Sequence, residues 1–586
     1  MTTNVHGFLN IIEALEAAPA ERPFVTDWVD EETSDTVSFG EFRRRARLQA
    51  SVLHAHAVRL GDRVIIVMPQ GIPSMAVFVG AMMLGAVPAF LAYPNFKVEP
   101  SKYRYGLAGV TANLSAKVVV IDEEFPDDML GYVSLKEGTE LIRASDGKSA
   151  DREDALPDLK HLPEGLAFIQ HSAGTTGLQK GVALTHAAVL KQIEHLAGVL
   201  QIDPAADSVY SWLPLYHDMG LIACFMLPMI CHMPVVMQSP LDWVMRPESM
   251  LRVISDFKCT LGWMPNFAFQ FVPRRTPRER WAEYDLSSVR ALINCSEPVR
   301  VSSMHEFHSA FASTGLKSNA LQSSYAMAEN VFAVTQSDLA GPSGPPRIWA
   351  DGQQFRAKHL IVSVAEGTAG SISFQSSGRL LPGNEVRIVS DSGERLDDGR
   401  AGEIHIKSDT LFEGYYNRPD LTADAIVDGW YRTGDLGFCL DGELFVVGRK
   451  KDLIIVGGEN LYPQDIEEIV GSHSAIHDGR VVATGVYNPD LGTDDIVVVA
   501  EVEREELLVD AEKIQRELRG LVVAGIGVAV RTILLKPPKW IVKSTAGKPA
   551  RSATRDKLLR EHPELNPEPE KSADASPCEP APQTAS

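Results

Sequence analysis

A segment rich in glycine and threonine, residues 172–181, has the composition of a loop that holds phosphate groups. Glycines let the backbone approach a ligand closely, and exposed N–H groups can donate to phosphate oxygens. The spacing differs from the P-loop pattern GxxxxGK[ST], so that mechanism cannot be transferred. A phosphate loop and an ordinary surface turn both stay open for this segment. Its candidate binding residues are Ser172, Gly174, Thr175, Thr176, Gly177 and Lys180.

A His–Asp pair, His217 and Asp218, follows an apolar run that is typical of a strand. This position predicts that the pair lies at the edge of a cleft. A histidine there can act as a base or as a gate, and it can equally be a satisfied core residue. We keep His217 as a catalytic candidate and leave these roles open.

The segment 324–329 combines an aromatic residue, Tyr325, with a carboxylate, Glu329. An aromatic ring beside a backbone loop can stack on a nucleotide base. The carboxylate can hold Mg²⁺, which binds one or two protein oxygens together with phosphates. A helix start with an acidic first turn is the alternative interpretation. The candidate residues are Ser324, Tyr325, Ala326, Met327 and Glu329.

Charged residues that can contact a nucleotide recur in two segments near the middle of the C-terminal half. Asp435 follows a tight glycine turn, where an aspartate can accept both hydroxyls of a ribose. Arg449 and Lys451 lie in a basic segment between two predicted units, which is the position of a hinge. An ordinary hairpin followed by a solvated charge run remains the alternative.

A lysine near the end of the predicted folded part, Lys548, follows a glycine in the segment 543–548. A lysine on such a loop can place a compact cation against a phosphate. For one lysine considered alone, a flexible basic turn is the default interpretation.

The elements that must position these residues follow from apolar patterns. Between residues 61 and 285, short Val/Ile/Leu runs alternate with helical patterns, which predicts α/β architecture with buried parallel strands. From 370 to 447, short strand-like segments separated by turns predict a small β subdomain. Residues 452–560 return to a mixed α/β pattern, with a strand over 495–502 and a half-exposed helix over 509–520.

Composition and charge exclude several classes of protein. The 586 residues are 45% apolar and 23% charged, which excludes a chain disordered throughout, a collagen-like repeat and a small disulfide scaffold. The net charge of −21 disfavours nucleic acid as a partner, but it permits a small anionic ligand held by a few cations. The six cysteines form no CxxC pair, so a zinc site is unsupported and a reducing, cytoplasmic location is expected.

Three further segments bear on location and order. The first seven residues lack the pattern of a secretion signal. Residues 74–93 carry no charge and are long enough to span a bilayer, but Pro88 and two glycines interrupt them. We therefore predict a buried helix followed by a buried strand, and no membrane span. The polar, proline-rich residues 562–586 are predicted to be a disordered tail.

In their order and over about residues 25–560, these five segments resemble the motifs of the ANL superfamily of adenylate-forming enzymes. The resemblance implies an N-terminal domain over 1–447, built of α/β subdomains plus a small β subdomain at about 370–447. It further implies a hinge at 448–451 and a small, mobile α+β C-terminal domain at 452–561. The small domain would rotate between an adenylating and a thioester-forming pose.

The resemblance also implies a chemistry. A carboxylic acid attacks ATP with the help of Mg²⁺, and a thiol then attacks the acyl-adenylate and releases AMP. Lysine and Mg²⁺ must neutralise the charge that concentrates when two anions meet. By resemblance, residues 172–181 bind phosphates, and Tyr325 and Glu329 form the adenine-side and Mg²⁺ motif. The resemblance also implies that Asp435 binds the ribose and that Arg449 faces the nucleotide. It places Lys451 at the hinge and gives Lys548 a role in adenylation.

The sequence resembles two branches of the superfamily that differ in the thiol that accepts the acyl group. Residues 294–300, Asn-Cys-Ser-Glu-Pro-Val-Arg, resemble the Asn-Gly-Ala-Glu-Pro-Val-Arg signature of fatty acyl-AMP ligases and contribute Ser296 and Glu297. Residues 462–467 and the long stretch between 329 and 378 resemble the same branch. This branch normally passes acyl groups to an acyl carrier protein.

Other segments resemble CoA ligases and favour CoA as the acceptor instead of a carrier protein. Residues 428–435 and the pair Gly457 and Gly458 resemble CoA ligases, in which small residues line the path of the pantetheine arm. Because the glycine pair bears on the acceptor channel itself, we favour CoA as the acceptor over a carrier protein. A non-catalytic nucleotide- or acyl-binding protein on the same fold is a third hypothesis. The retained site residues argue against it.

Departures from the family pattern affect the first step. Ala173, Gln179 and Ala326 replace the usual serine, proline and glycine. Loss of a hydroxyl donor beside the triphosphate predicts weak adenylation, with thioester formation retained when a partner adenylating enzyme supplies the acyl-adenylate. Tolerated variation is the alternative interpretation.

Less closely, the mixed signature resembles acyl-CoA ligases of bacterial diterpenoid antibiotic pathways of the platensimycin type. That resemblance implies a bulky, polycyclic acid. The candidate acyl-pocket residues are Trp212, Trp263, Met264, Phe267 and Ile293, although aromatic residues near strands more often belong to the core.

Overall fold

The computed structural model describes residues 7–94, 100–135, 137–144, 165–171, 180–341, 344–456, 459–488, 491, 493–543 and 548–565. These residues form two compact units. The first unit contains the described residues of Met1–Asp452 together with those of Lys543–Ala550. The second contains the described residues of Leu453–Val542 and the chain that follows from Arg551. Residues 543 and 548–550 therefore group with the first unit, although the sequence predicts that they belong to the C-terminal domain.

A large sheet of nine described strands carries the first unit. Its six central strands are parallel and consist largely of buried apolar residues, because both faces are covered. At one edge, Pro23–Trp28 lies parallel to Val235–Gln238, with Val25 opposite Val235, and Ser34–Ser38 pairs antiparallel with Pro23–Trp28. In spatial order the strands are Arg379–Leu380, Ala333–Gln336, Leu321–Ala326, Ala291–Asn294, Leu261–Met264, Val209–Ser211, Val235–Gln238, Pro23–Trp28 and Ser34–Ser38.

Two smaller sheets complete the α/β part of the first unit. The four parallel strands of one sheet are Val87–Phe90, Arg63–Val67, Val118–Ile121 and Glu140–Arg143. The antiparallel strands of the other are Gly414–Tyr415, Gly181–Thr185 and Leu166–His171. The uncharged stretch 74–93 contributes the end of a buried helix, Ile72–Met83, and the strand Val87–Phe90, as predicted. None of the described helices combines the length and apolar character that a bilayer crossing needs.

Several helices of the first unit begin at a residue whose side chain caps the first turn. Ser38 accepts a hydrogen bond from the backbone N–H of Glu41 at the start of Phe39–Ala55, a Ser-x-x-Glu pattern typical of a helix N-terminus. The other described helices of at least six residues are Ile11–Glu16, Ile72–Met83, Pro100–Leu114, His186–Leu200, Met219–Met226 (a π-helix), Pro240–Met245, Ser249–Phe257, Ala268–Arg275, Arg278–Glu283 (a 3₁₀ helix), Val301–Phe311, Gly352–Lys358 and Pro419–Ala425.

The small β subdomain begins later than the sequence suggests. Its sheet consists of the strands Asn384–Val389, Gly402–Ser408, Trp430–Leu440, Ile426–Val427 and Glu443–Arg449. The strand Ser371–Gln375, just after the predicted start at about 370, pairs instead with Arg347–Asp351 in a separate antiparallel hairpin. Phe374 on this hairpin packs against Phe355 of the short intervening helix at 4.9 Å. The strand pattern alone does not reveal that Ser371–Gln375 pairs with a strand that precedes it in the sequence.

The second unit has its own mixed sheet and core. The strands Ile476–Asn488 and Thr493–Val502 are antiparallel, and Thr532–Lys536 is parallel to the latter. The predicted half-exposed helix spans Ala511–Ile526 and buries Ile514, Leu518 and Val522. The unit's other described elements are Ile454–Val456, Glu459–Leu461, Pro463–Gly471, Glu505–Asp510 and Arg551–Glu561.

The predicted disordered tail begins too early. Pro563–Leu565 forms a helical turn, Leu565 packs against the cluster that contains Leu558, and His562 lies 3.0 Å from Lys536. The apolar side chain of Leu565 packs this turn against the core, although the surrounding residues are polar. The rest of the predicted tail, 566–586, lies outside the described residues. The predicted fold class, a large α/β N-terminal domain with a β subdomain and a smaller α+β C-terminal domain, is confirmed.

Candidate active site

Loops that follow four neighbouring parallel strands carry several of the candidate residues. His217, Phe267, Glu297 and Glu329 come shortly after strands that end at Ser211, Met264, Asn294 and Ala326, respectively. Carboxyl ends of parallel strands meet at one edge of a sheet, which is where ligands bind in open α/β folds. The strand order thus explains why residues more than 100 positions apart lie at one edge.

Lys548 contacts the loop that follows the strand Ala291–Asn294. Its Nζ donates to the carbonyl oxygen of Ser296 at 2.8 Å and lies 3.8 Å from Oε1 of Glu297. Ser296 has φ +70°, a left-handed conformation that is uncommon for residues other than glycine. The loop thus presents a backbone carbonyl and a carboxylate to one ammonium group.

Buried amide side chains hold this loop in place. Asn294 donates to Oδ1 of Asn266 at 2.9 Å, and the same oxygen accepts the backbone N–H of Arg300 at 3.1 Å. Glu297 accepts the backbone N–H of Phe267 at 3.0 Å through Oε2. Both ends of the loop are therefore tied to the neighbouring segment, which restricts the position of Glu297.

Tyr325, Asp435 and Arg449 form a second polar group. The Tyr325 hydroxyl donates to Oδ2 of Asp435 at 2.7 Å, and Nε of Arg449 lies 3.2 Å from Oδ1. Asp435 and Arg449 are opposite each other on adjacent antiparallel strands. Burial and the Asp435 carboxylate raise the pKa of Tyr325, so the phenol stays a proton donor at neutral pH. The group offers a buried carboxylate beside an aromatic ring and a cation.

Glu329 is a buried carboxylate on a strained turn. Its Oε1 accepts the hydroxyl of Tyr415 at 2.9 Å. Two residues later, Val331 has φ +58° and ψ −53°, and the N–H of Phe332 donates to the carbonyl of Asn330 at 2.5 Å. This is a γ-turn, an unfavourable conformation for a β-branched residue. Such strain persists only where surrounding contacts hold the backbone.

His217 and Asp218 lie on the loop before the π-helix Met219–Met226. Burial, with a smaller effect of Lys548, lowers the pKa of His217 to about 4, so its imidazole is neutral at pH 7. Its Nε2 has no hydrogen-bond partner among the described residues. Asp218 accepts the backbone N–H of Met219 at 2.8 Å. Burial, opposed by this hydrogen bond and by Lys548 and reinforced by Glu329, raises the pKa of Asp218 to about 6.

The pKa of Asp218 predicts a pH-dependent stability. Between the unfolded value of 3.8 and the folded value of about 6, the native state binds the additional proton, so stability falls as the pH rises through this window. The D218N variant lacks this titration. We expect its free energy of unfolding, relative to that of the wild type, to rise by about 3 kcal/mol between pH 3.5 and pH 7. Urea unfolding at both pH values measures the difference, and a constant difference would contradict the assignment.

The remaining predicted residues are placed as follows. The hydroxyl of Ser324 donates to the carbonyl of Thr335 inside the sheet at 2.7 Å. Partial burial and Arg449 lower the pKa of Lys451. Lys180 lies with its Nζ 4.4 Å from the ring centroid of Tyr415. Ala326 and Met327 lie at the end of the strand before Glu329. Ser172, Ala173, Gly174, Thr175, Thr176, Gly177, Gln179, Gly457 and Gly458 lie outside the described residues.

Two of the candidate acyl-pocket residues, Trp212 and Phe267, form a packed aromatic wall together with Trp243. Trp212 stacks on Trp243 with ring centroids 3.6 Å apart, and Phe267 meets both rings edge-on at 6.2 and 6.1 Å. Trp263, Met264 and Ile293 are buried in the adjacent strands. The wall starts next to Lys548, because Glu297 contacts both this lysine and the backbone of Phe267.

Sequence reasoning missed three aromatic residues of this region. Tyr415 binds Glu329, Tyr431 lies 3.3 Å from the Tyr415 hydroxyl, and Trp243 completes the aromatic wall. The segment 414–419, Gly-Tyr-Tyr-Asn-Arg-Pro, reads as a turn after a strand. Only the pairing of Gly414–Tyr415 with the strand Gly181–Thr185 brings Tyr415 to the site.

Comparison with known proteins connects this geometry to a family. Residues 12–416 match the AMP-binding enzyme family. The chain is 29% identical over 552 residues to a 4-hydroxyphenylalkanoate adenylyltransferase of Mycobacterium marinum, with 89% of this chain and 86% of that protein covered. It is 30% identical over 546 residues to the long-chain-fatty-acid–AMP ligase FadD26 of the same organism, with 89% and 91% covered.

Solved structures agree with these relatives. A structure from studies of fatty acyl-adenylate ligases of E. coli and L. pneumophila superposes with a TM-score of 0.87 at 25% identity, and the match covers 96% of this chain and 99% of that chain. The family match spans more than half of the chain. On these grounds the chain is a member of the AMP-binding enzyme family, within the ANL superfamily of adenylate-forming enzymes.

Proposed function

We propose that the chain is an acyl-AMP ligase that activates a carboxylic acid with ATP and passes the acyl group to a phosphopantetheine thiol. The observation that carries the proposal is the contact of Lys548 with Ser296 and Glu297, which lie beside the aromatic wall. Glu329 raises and Lys548 lowers the pKa of Asp218, so both groups act electrostatically on this one residue. If a carboxylic acid and the triphosphate of ATP bind there, Lys548 would balance part of their negative charge.

The first step breaks one bond and forms one bond. A carboxylate oxygen attacks the α-phosphorus of ATP, and pyrophosphate leaves with the electron pair of the α–β bridging bond. Negative charge concentrates on the oxygens of the α-phosphate, so a preorganised cation stabilises the transition state. Lys548 is that cation in this proposal. Its hydrogen bond to Ser296 holds the ammonium group in a fixed direction.

Glu329 is the residue that fits Mg²⁺. Among the described residues, no group of three or more His, Cys, Asp or Glu side chains is arranged to hold a metal alone. Mg²⁺ typically binds proteins through one or two carboxylates and takes its other ligands from phosphates and water. Tyr415 occupies Oε1 of Glu329, which leaves Oε2 for the ion. When bound with the nucleotide, Mg²⁺ would neutralise phosphate charge.

Asp435 is the proposed ribose acceptor. Its carboxylate is buried, and Tyr325 and Arg449 orient it through separate oxygens. Carboxylate oxygens have more than one lone pair each, so both can still accept ribose hydroxyls. Arg449 lies on the same pair of strands and can face the phosphates or the base side of the nucleotide.

The acceptor thiol belongs to a carrier protein in this proposal. The sequence alone favours CoA, chiefly because of Gly457 and Gly458, which lie outside the described residues. The relatives found by comparison are named AMP ligases and adenylyltransferases, which supports the branch whose signature is 294–300. CoA and carrier proteins present the same phosphopantetheine arm, so the acceptor is decided by experiment.

A product assay tests the proposal directly. The purified protein is offered carboxylic acids from fatty to polycyclic, with ATP and Mg²⁺ and with no acceptor, CoA or a holo acyl carrier protein. A parallel series offers synthetic acyl-adenylates with each acceptor. Mass spectrometry should detect acyl-adenylate from acid and ATP and an acyl-carrier thioester. Acyl-CoA instead would assign CoA as the acceptor, and absence of product in both series would refute the proposal.

The altered phosphate segment gives a separate prediction. A serine at position 173 adds a hydroxyl donor that the family usually has, so A173S is expected to raise acid-dependent pyrophosphate release about fivefold, the effect of one hydrogen bond. Transfer from supplied acyl-adenylate should be unchanged. An equal rate of pyrophosphate release in A173S and wild type would identify Ala173 as tolerated variation.

A further inference from the structure

One aromatic side chain, Tyr415, contacts two residues of the proposed nucleotide site. We infer that Tyr415 is a positioning residue that holds the side chains of Glu329 and Lys180 in place for nucleotide binding. Its hydroxyl binds Oε1 of Glu329 at 2.9 Å, and its ring lies 4.4 Å from Nζ of Lys180. This inference rests on the proposed function, since it takes Glu329 as the Mg²⁺ ligand and Lys180 as a phosphate contact.

The hydroxyl contact has a defined direction. A carboxylate only accepts, so the single proton of the Tyr415 hydroxyl points to Glu329. Tyr431, 3.3 Å away, can then donate to the Tyr415 oxygen. Tyr415 and Tyr431 are both buried, which shields these hydrogen bonds from competing water. The result is a directed chain from Tyr431 through Tyr415 to Glu329.

The ring face contact uses the same side chain. A lysine ammonium group within about 6 Å of an aromatic centroid is attracted to the ring face. Lys180 directly precedes the strand Gly181–Thr185 and is the last residue of the predicted phosphate loop before it. Tyr415 therefore limits where the ammonium group of Lys180 can point, through its ring and independently of its hydroxyl.

Backbone hydrogen bonds place the Tyr415 segment between the two residues that it orients. Phe412 donates its N–H to the carbonyl of Glu329 at 2.9 Å, and Tyr416 donates its N–H to the carbonyl of Gly181 at 2.7 Å. Rings of Phe412, Tyr415 and Tyr431 also pack together, with centroids 4.9 and 5.6 Å from that of Phe412. The segment thus connects the turn of Glu329 to the end of the phosphate loop.

The contact also explains how the unfavourable turn at Val331 persists. A strained backbone relaxes unless its neighbours hold it, and relaxation there would move Glu329. The Tyr415 hydroxyl holds the side chain of Glu329, and Phe412 holds its carbonyl. Loss of the hydroxyl should therefore change the geometry of the metal ligand before it changes the fold.

Nucleotide binding with and without metal tests this role. Isothermal titration calorimetry measures the affinity for α,β-methylene-ATP in Mg²⁺ and in EDTA. We expect Y415F to reduce the Mg²⁺-dependent gain in affinity about tenfold, because one hydrogen bond to a charged group is lost. Its affinity in EDTA should stay within twofold of wild type. Y415L, which also removes the ring face, should in addition lose about three- to fivefold in EDTA.

Matched tyrosine variants serve as controls. Y416F changes the neighbouring residue, whose ring packs in a different cluster with Leu166 and Ile169, and it should bind as the wild type does. An unchanged Mg²⁺ gain in Y415F would overturn the inference. Equal losses in Mg²⁺ and EDTA together with a lowered melting temperature would assign Tyr415 a merely structural role and overturn it as well. If the wild type shows no Mg²⁺-dependent binding, the proposed function itself fails.

Discussion

Replacement of Lys548 with alanine is expected to lower the rate of acid-dependent pyrophosphate release about 100- to 1,000-fold, the effect of removing one preorganised donor from a developing oxyanion. The lysine is held by the Ser296 carbonyl at 2.8 Å, so its charge is aimed before the substrate binds. Alanine removes both the charge and this contact. Pyrophosphate release under saturating acid and ATP gives the rate.

Measuring the second half-reaction alone distinguishes a role of Lys548 in adenylation from a general loss of structure. Transfer of the acyl group from supplied acyl-adenylate to the thiol acceptor should fall less than twofold in K548A, because the charge is needed when pyrophosphate leaves. K513A removes an exposed lysine of the helix Ala511–Ile526 and should leave both rates unchanged. An equal loss in both half-reactions, or none, would remove Lys548 from the adenylation step.

The G220A variant is expected to lose about 3 kcal/mol of folding stability and most of its adenylation rate. A Cβ on Gly220 would lie 2.3 Å from the carbonyl oxygen of Pro214 and 2.9 Å from that of Leu213. Both contacts are with backbone, which cannot rotate away. The loop between them carries His217 and Asp218, so relief of the clash must displace these residues. Guanidinium unfolding measures the stability, and pyrophosphate release measures the rate.

A second glycine offers a matched control. Gly198 lies inside the helix His186–Leu200, and a Cβ there would meet nothing within 4 Å. Alanine has a higher helix propensity than glycine, so G198A should gain about 0.5–1 kcal/mol of stability. If G220A were as stable as the wild type, the loop would have another conformation than the one observed.

Much of the fold is readable from the sequence because its strands are buried on both faces. Runs such as 64–67 and 118–121 are continuous in Val and Ile, and they form neighbouring parallel strands. The strand Ser371–Gln375 does not join the β subdomain predicted to begin at about 370, since it pairs with Arg347–Asp351 across a helix that contributes Phe355. Local pattern identifies a strand, but tertiary packing decides its partner.

The candidate site is readable only in part for a related reason. Glu329, Asp435 and Lys548 stand out because charged residues beside glycines or aromatic residues suggest chemistry. Their mutual placement depends on pairing between distant segments, such as the adjacent strands that put Arg449 opposite Asp435. Tyr415 carries no such signal, because a tyrosine at the end of a short strand usually belongs to the core.

The pairing of the first strands with Val235–Gln238 has a consequence for synthesis in the cell. Val25 must wait for Val235, which lies 210 positions later in the chain. At about 5–20 residues per second, the ribosome needs about 10–40 s to deliver that partner strand. Until then the hairpin of Pro23–Trp28 and Ser34–Ser38 has an unpaired edge, and an isolated two-stranded hairpin is only marginally stable. Slower translation would prolong this interval, during which a chaperone has a hydrophobic strand to shield.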